Sequence, residues 1–293
     1  MALQFQQVAL IGKHPTAQGG TPPAMLHGIA QTLQAQGCTV TLDAVTAENS
    51  GVKDWAYEDL SGIGQKCDLA VVVGGDGTML AAARTLAHYG TPLIGINQGR
   101  LGFITDIALD DYAPVLQAML HGDYVEHQRF LIAAQVERAG EVIMEATAMN
   151  DVVVNRGSSA GLVELRVEID GHFVANHRAD GLIVATPTGS TAYALSAGGP
   201  ILHPGLGGFV MVPISPHNLS NRPIALPDSV RISIEIVAAK EVTANFDMQS
   251  IKHLQPGDRI LIQRAQKSAR MLHPRGWSYY DTLRHKLHWN EHN

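Results

Sequence analysis

A short segment near position 76 combines three glycines with one carboxylate, a set that suits the binding of an anion. Residues 69–84 have the sequence L-A-V-V-V-G-G-D-G-T-M-L-A-A-A-R. The valine run predicts a buried strand and the alanine-rich end predicts a helix, which places Asp76 at the corner between them. Glycines at such a corner permit positive φ angles and let a ligand approach the N–H groups that open the helix. We therefore expect Gly74, Gly75 and Thr78 to contact a phosphate group.

Asp76 does not fit a simple anion site, because a carboxylate repels phosphate. It fits such a site if it binds a cation or accepts a proton from the substrate. It fits equally well if its side chain only caps the helix, which is the more common role of an aspartate in a Gly-Asp-Gly turn. The segment alone leaves these roles open.

Hydroxyl groups are concentrated in a second segment, residues 186–199, with the sequence T-P-T-G-S-T-A-Y-A-L-S-A-G-G. Side-chain donors and acceptors are dense there, and backbone amides are expected to be free as well. Ser190 or Thr191 is expected to cap a short helix that ends at the glycine pair. The plain alternative is a capped surface turn without a ligand.

Two further pairs of polar residues add to this second segment. Arg178 and Asp180 precede it, and Asn150 and Asp151 stand where another strand is expected to begin. Each pair alone is weak evidence, because Asn and Asp are common at strand ends. Together with the hydroxyl-rich segment they indicate a polar ligand that itself carries hydroxyl groups.

The composition describes an ordinary globular protein and narrows the classes of partner. Of the 293 residues 45% are apolar and 16% are charged, and the length suits two domains. A net charge of −6 and the lack of a basic run argue against nucleic acid as a partner. No secretory signal or membrane-spanning apolar stretch is present, so we expect a cytoplasmic protein without membrane association. Cys38 and Cys67 are expected to be buried free thiols.

The first part of the chain alternates apolar strands with amphipathic helices, which predicts an α/β domain with a parallel sheet. Its first turn lacks Gly-x-Gly-x-x-Gly, the usual dinucleotide fingerprint of such folds. The loop 98–103 follows a strand just as the Asp76 turn does, and ligands bind along the carboxyl edge of open α/β sheets. We expect both loops to face one site. Besides the strand and helix that flank Asp76, strands are expected at 7–12, 38–42 and 92–97, and helices at 24–36 and 110–121.

From about position 129 the pattern changes to strand after strand, which predicts a mostly antiparallel β domain. Residues 163–170 alternate strictly between apolar and charged types, and the apolar positions of 230–236 repeat that spacing. We expect residues 1–125 to form the α/β domain and residues 126–293 the β-rich domain. A last helix at 279–289 is a candidate for packing back on the first domain. Further strands are expected at 131–137, 151–155, 182–185, 209–214 and 259–264.

Four motifs, taken in chain order over nearly the whole chain, resemble those of the bacterial NAD kinase family. The glycine turn alone is modest evidence, since diacylglycerol kinases and phosphofructokinases carry related turns. The glycine- and threonine-rich motif is far more specific. The motifs are Gly74-Gly75-Asp76-Gly77-Thr78, Asn97-x-Gly99-x-Leu101-Gly102-Phe103, Asp180-Gly181 with Thr186-Pro187-Thr188-Gly189-Ser190-Thr191-Ala192-Tyr193, and Leu219-Ser220-x-Arg222-Pro223-Ile224.

The resemblance implies transfer of the γ-phosphoryl group of ATP to the 2′-hydroxyl of the adenosine ribose of NAD, which makes NADP. It also implies an α/β domain followed by a β domain, a divalent metal ion such as Mg²⁺ whose ligands stay unassigned, and a homo-oligomer, either a dimer or a tetramer. Carried over position by position, it makes Asp76 the general base. The residues implied to contact NAD are Asp76, Gly77, Asn150, Asp151, Arg178, Asp180, Thr191, Ala192, Tyr193, Ala194, Leu195, Ser196 and Gln249.

This sequence departs from the family pattern at Met248, which stands between Asp247 and Gln249 where many members have a small residue. A side chain there is expected to restrict the backbone beside Gln249. In family terms Arg178 is compatible with a preference for oxidised NAD. Two alternatives to an NAD kinase stay open: a non-catalytic module that senses dinucleotides, and a sugar or lipid kinase with the same glycine turn.

Overall fold

The structure is a computed structural model that describes residues 2–13, 19–99, 102–157 and 161–289. Residues 1–128 and 268–293 form one compact unit, and residues 129–267 form a second. Leu101, which belongs to one of the motifs above, lies outside the described residues. Each unit has its own core, and each is described separately.

The first unit contains a parallel sheet, as the alternation of strands and helices predicts. Its strands pair in the order β3-β2-β1-β4-β5, and β6 also pairs with β5. Every one of these pairings is parallel. The strands are β1 (Gln7–Gly12), β2 (Thr39–Asp43), β3 (Ala56–Glu58), β4 (Leu69–Gly74), β5 (Leu93–Asn97) and β6 (Ile107–Ala108).

The helices of this unit cover the sheet and bury its apolar strands. Strands β4 and β5 are buried along their whole length, which explains why their sequences are unbroken apolar runs rather than alternating ones. Helix α1 buries Leu26, Ile29 and Leu33 in the same core as Val8 and Val71. The helices are α1 (Pro23–Ala35), α2 (Ala44–Ser50), α3 (Leu60–Lys66), α4 (Asp76–Leu86) and α5 (Tyr112–Leu120), the last preceded by the 3-10 turn Leu109–Asp111.

The sequence pattern missed several short elements of the first unit, among them α2, β3 and β6. Helix α2 follows β2 without a loop, and the Asp43 carboxylate caps it by accepting a hydrogen bond from the Thr46 amide at 2.9 Å. An aspartate before a short run of helix formers was the available signal. Gly37, by contrast, ends α1 with a φ of 95°, as expected for a glycine after a helix.

The second unit consists of antiparallel strands, which confirms the predicted fold class. One sheet has the order β14-β13-β12-β9-β16-β17, and in the other β11-β10-β15-β18 are paired while β7 joins β8 and β18. The two sheets enclose one core, to which Val152 and Phe209 contribute from the first sheet and Leu165 and Ile234 from the second. The strands are β7 (Tyr124–Arg138), β8 (Glu141–Ala148), β9 (Asp151–Arg156), β10 (Val163–Ile169), β11 (His172–Ala179), β12 (Gly181–Ala185), β13 (Gly208–Ile214), β14 (Ile224–Pro227), β15 (Ile232–Ala238), β16 (Val242–Phe246), β17 (Ser250–Leu254) and β18 (Arg259–Pro274).

The end of the described chain belongs to the first unit. Strand β18 extends well past the predicted residues 259–264, and its Met271 pairs in parallel with Leu93 of β5. The short helix α6 (Tyr193–Ser196) lies in the second unit, and the last helix, α7 (Tyr279–Leu287), is two residues shorter than predicted. Cys38 and Cys67 are buried free thiols, as predicted. None of the helices in the described ranges is long and apolar enough to span a membrane.

Candidate active site

The glycine turn of the first unit joins β4 to α4 at the carboxyl end of the sheet. Gly75 is the N-cap residue with an extended backbone, and no side chain caps the helix. The interpretation of Asp76 as a helix cap is therefore wrong. None of the three turn glycines has a positive φ, so that expected use of glycine does not apply either.

Close approach explains these glycines instead. A Cβ at Gly74 would lie 2.6 Å from the Thr78 hydroxyl oxygen, so that position tolerates no side chain. A Cβ at Gly75 or Gly77 would meet no described atom within 4 Å. The space beside the backbone of Gly75 and Gly77 is thus open to a ligand at the start of α4, where the positive end of the helix dipole favours an anion.

The Asp76 carboxylate is held by the loop that follows β5. Its Oδ2 atom accepts a hydrogen bond from the Phe103 amide at 2.8 Å, and its Oδ1 atom accepts from the Ile104 amide at 3.2 Å and the Thr105 hydroxyl at 3.1 Å. The two loops that were predicted to face one site thus contact each other. A carboxylate has about four acceptor positions. Among the contacts of the described residues, one position on Oδ2 is left for a further donor such as a substrate hydroxyl.

A second layer of hydrogen bonds fixes this loop, and it was missed from the sequence. The side-chain NH2 group of Asn97 donates to the Thr105 hydroxyl at 2.8 Å, while the side-chain Oδ1 atom of Asn97 accepts from the Gly99 amide at 2.7 Å. The Gly102 amide donates to the Thr105 carbonyl at 3.0 Å and closes the turn. Thr105 is fully buried and lies just outside the recognised motif, so only its proximity to that motif pointed to it.

Gly102 is the one loop residue whose lack of a side chain the geometry demands. A Cβ there would lie 2.0 Å from Oδ1 of Asp76 and 2.3 Å from the Thr105 hydroxyl oxygen. No atom can be accommodated at such distances without moving the carboxylate. Gly99, in the same loop, has open space around its Cβ position.

In the second unit, three separate segments meet around Asp247. The Asp247 carboxylate accepts hydrogen bonds from three consecutive backbone amides, those of Met149, Asn150 and Asp151, at 2.8, 2.7 and 3.1 Å. The Thr186 hydroxyl donates to the Met149 carbonyl at 2.6 Å. Asp247 was missed from the sequence as an organising residue, although it immediately precedes the Met248-Gln249 pair of the same turn.

The hydroxyl groups of the second segment serve mainly the loop itself. Ser190 is fully buried, donates to the Pro187 carbonyl at 2.7 Å and accepts from the Leu202 amide at 2.9 Å. The expected cap by Ser190 or Thr191 is wrong, because helix α6 begins after Ala192 and no side chain caps it. Both hydroxyls instead donate to carbonyl groups just before the 3-10 turn Gly189–Thr191: Ser190 to the Pro187 carbonyl and Thr191 to the Thr188 carbonyl.

Close packing joins the hydroxyl-rich segment to the Asn150 segment. A Cβ at Gly189 would lie 2.1 Å from the Asn150 carbonyl oxygen, and the Thr186 amide donates to that same oxygen at 2.8 Å. The structure therefore brings together Asn150, Asp151 and the turn that leads into Tyr193. The Tyr193 side chain is 38% exposed and begins helix α6.

Asp151 is buried with its backbone tied to a second carboxylate. Its side chain is only 3% exposed, and burial together with the charge of Asp247 raises its pKa to about 7. Burial contributes more to this raised pKa than the charge of Asp247 does. Near neutral pH this group consequently exists in both its protonated and its ionised form.

Arg178 and Asp180 stand apart from this cluster. Strand β12 separates Asp180 from Thr186, a distance of about 20 Å for six residues of extended chain. Asp180 pairs with Arg156 at 2.7 Å, and Arg178 pairs with Glu164 at 2.9 Å on neighbouring strands. Both ion pairs are partly exposed and remain open to exchange with a ligand.

The turn that carries Gln249 contains two residues with a left-handed backbone. Asp247 and Met248 both have positive φ angles, 54° and 55°, between strands β16 and β17. Met248 is 61% exposed. A left-handed backbone favours glycine, so the side chain of Met248 is strained there, as expected.

Comparison with known proteins places the chain in a family. Residues 25–124 match the family model of the ATP-NAD kinase N-terminal domain, and residues 149–273 match that of the ATP-NAD kinase C-terminal domain. The chain is 60% identical over 291 residues to the NAD kinase of Polaromonas sp. (strain JS666 / ATCC BAA-500), with 99% of each chain covered. The chain belongs to the ATP-NAD kinase family. The NAD kinase of Paracidovorax citrulli is also 60% identical, over 295 residues and 99% of each chain.

Solved structures of ATP-NAD kinase relatives share the fold. A crystal structure of yeast NADH kinase complexed with NADH aligns with a TM-score of 0.87 and 25% identity, covering 99% of this chain and 89% of that one. An NAD kinase from Archaeoglobus fulgidus in complex with ATP aligns with a TM-score of 0.76 at 23% identity, over 97% and 99% of the two chains. Membership of the ATP-NAD kinase family makes this chain a phosphotransferase.

Proposed function

We propose that this chain transfers the γ-phosphoryl group of ATP to the 2′-hydroxyl of the adenosine ribose of NAD and so makes NADP. The observation that carries the proposal is the geometry of Asp76. Its carboxylate is oriented by three hydrogen bonds and keeps one acceptor position on Oδ2 beside an accessible helix start. A base fixed in this way can receive the proton of a single hydroxyl group.

Each unit contributes proposed binding groups. Gly74, Gly75 and Thr78 are the candidates for phosphate contacts, because the start of a helix favours anions and the backbone there is open to a ligand. In the second unit, the segments gathered around Asp247 are the proposed location for the dinucleotide. The proposed contacts with NAD are Asp76, Gly77, Asn150, Asp151, Arg178, Asp180, Thr191, Ala192, Tyr193, Ala194, Leu195, Ser196 and Gln249.

Phosphoryl transfer passes through a loose transition state, so the enzyme mainly positions groups and neutralises charge. A free aspartate, with a pKa near ~4, is too weak a base to remove a ribose proton in advance. Asp76 therefore orients the 2′-hydroxyl and accepts its proton late, once the forming bond to phosphorus has acidified that oxygen. The three loop donors keep the carboxylate in place while this happens.

The proposed Mg²⁺ fits a chain without a preformed metal cage. In the ranges that the structure describes, no three His, Cys, Asp or Glu side chains gather to hold a metal ion. Mg²⁺ commonly keeps several waters and binds through substrate phosphates with one or two carboxylates. Its chemistry when bound with ATP is to neutralise charge on the phosphate oxygens, while the protein groups above orient the acceptor.

Replacing Asp76 with asparagine tests the proposed base. Asp76→Asn keeps the size and most of the loop contacts but removes the proton acceptor, so kcat for NADP formation should fall at least ~100-fold while NAD still binds. Turnover is measured with ATP, Mg²⁺ and either NAD or NADH, and binding by calorimetry. A variant with near wild-type turnover would show that Asp76 is not the base.

We also propose that the protein is a homo-oligomer and that it is located in the cytoplasm. The proposed NAD contacts of one chain do not form one compact cluster, because Arg178 and Asp180 lie apart from Thr186. This separation supports an assembly of several chains. Light scattering after gel filtration distinguishes a monomer from a dimer or a tetramer. A monomeric enzyme with full activity would contradict this part of the proposal.

A further inference from the structure

A buried histidine lies beside the loop that holds Asp76, and it comes from the far end of the chain. The Nδ1 atom of His273 is 2.7 Å from Oδ2 of Asp106. The two side chains are 1% and 5% exposed, so both are removed from solvent. All these residues belong to the first unit.

Asp106 is covalently linked to the residue that orients the proposed base. Thr105 donates its hydroxyl hydrogen bond to Oδ1 of Asp76, and Ile107 on the other side pairs with Ile96 of β5. Asp106 is therefore held between the base contact and the sheet. A backbone shift at Asp106 would therefore be transmitted to the adjoining segment 102–105, which carries the contacts to Asp76.

The ring of His273 is itself immobilised by aromatic contacts. It stacks on Trp277 with a centroid distance of 4.0 Å and an angle of 12°, and the ring of His127 meets its edge at 5.2 Å. The Trp277 amide closes a turn on the Pro274 carbonyl at 3.0 Å. In the described part of the chain, Nε2 of His273 has no hydrogen-bond partner. The carboxylate of Asp106 is thus the polar group to which this ring is directed.

A buried hydrogen bond between two polar side chains supplies orientation more than stability, because the cost of taking both groups out of water offsets much of the energy of the bond. An apolar pair at these two positions would not orient the backbone on either side. At Asp106 that backbone carries the Asp76 contacts.

We propose that His273 is a positioning residue for the phosphoryl-transfer reaction: its hydrogen bond to Asp106 holds the 102–105 loop and thereby fixes the Asp76 carboxylate. The inference rests on the proposed role of Asp76. It assigns a catalytic consequence to the end of β18, nearly two hundred residues from the base in sequence. His273 itself touches neither substrate nor reacting atom.

Two substitutions of His273 separate its hydrogen bond from its bulk. His273→Phe keeps the ring that stacks on Trp277 but removes the donor, and kcat should fall about tenfold to a hundredfold with little change in the KM for NAD. His273→Asn places an amide near the position of Nδ1 and should recover most of the turnover. Equal kcat values for the wild type and the phenylalanine variant overturn the proposal, as does a loss that asparagine does not reverse.

An ion pair in the second unit, with a buried carboxylate and a partly exposed arginine, provides the control for general destabilisation. Arg138 and Asp258 form two hydrogen bonds of 2.8 Å, and the Asp258 side chain is 1% exposed. Asp258→Asn should lower the unfolding temperature while kcat below that temperature stays unchanged. If Asp258→Asn and His273→Phe lower kcat alike at matched stability, the role of His273 is structural and the proposal fails.

If His273→Phe does not fold, substitutions of Asp106, the partner of His273 in the hydrogen bond, test the same positioning role. Asp106→Asn keeps an acceptor and should keep most turnover, whereas Asp106→Leu should lose it; equal turnover in both variants overturns the proposal. Asp76→Asn separates the two proposals. Full activity of Asp76→Asn refutes the base itself, whereas a dead Asp76→Asn with an unaffected His273→Phe refutes only the positioning role.

Discussion

Adding one methyl group at Gly102 should displace the proposed base while leaving the proposed NAD contacts of the second unit in place. The new Cβ would lie 2.0 Å from Oδ1 of Asp76, and even a short carbon–oxygen contact needs about 3 Å, so the two atoms must separate by roughly 1 Å. A shift of that size stretches the 2.8 Å bond from the Phe103 amide beyond hydrogen-bond range. A misplacement of about 1 Å at a reacting group costs ~100-fold in rate, which corresponds to roughly 2.7 kcal/mol of transition-state stabilisation.

The assay for Gly102→Ala is steady-state NADP formation, with kcat and the KM for NAD determined separately. We expect kcat to fall about 100-fold, with NAD binding nearly unchanged because the second unit is untouched. Gly99→Ala is the matched control: it adds the same methyl group to the same loop, where no described atom lies within 4 Å, and should keep wild-type kcat. A folded Gly102→Ala variant with wild-type kcat would refute the argument that the loop positions Asp76.

Two further predictions concern stability in the second unit. The pKa of Asp151 rises from 3.8 in the unfolded chain to about 7 in the native state, so the native state holds the proton more tightly. The free energy of unfolding should therefore fall as the pH rises from about 4 to above 7, by up to ~4 kcal/mol. Asp151→Asn should abolish that fall in denaturant titrations at pH 5 and 8, and equal pH slopes for both proteins would contradict it. Met248→Gly should raise the unfolding free energy by about 1 kcal/mol, because it relieves a left-handed backbone at an exposed side chain. Met248→Ala, which keeps the strain, should not, and equal stability of the two variants would refute the strain argument.

Sequence patterns predicted the elements near the site better than the contacts within it. The valine run and the alanine-rich segment placed Asp76 at a strand-to-helix corner, and β4 and α4 meet there. The same patterns suggested a helix cap for Asp76 and for Ser190 or Thr191, and both suggestions were wrong. A cap depends on which donors reach the side chain, and for Asp76 those donors come from the loop that follows β5.

Local periodicity, glycine placement and motif order determined the fold class, the family and the set of candidate residues, because each of these is encoded within a few neighbouring positions. The tertiary structure alone decided which groups those residues touch. Asp247 binds amides 96 to 98 positions away, and His273 reaches Asp106 across 167. Such pairs carry no local signal, because their geometry results from the packing of whole sheets. The sequence thus identified Asp76 as the reactive candidate, whereas the folded loop determined which of its oxygens can accept a proton.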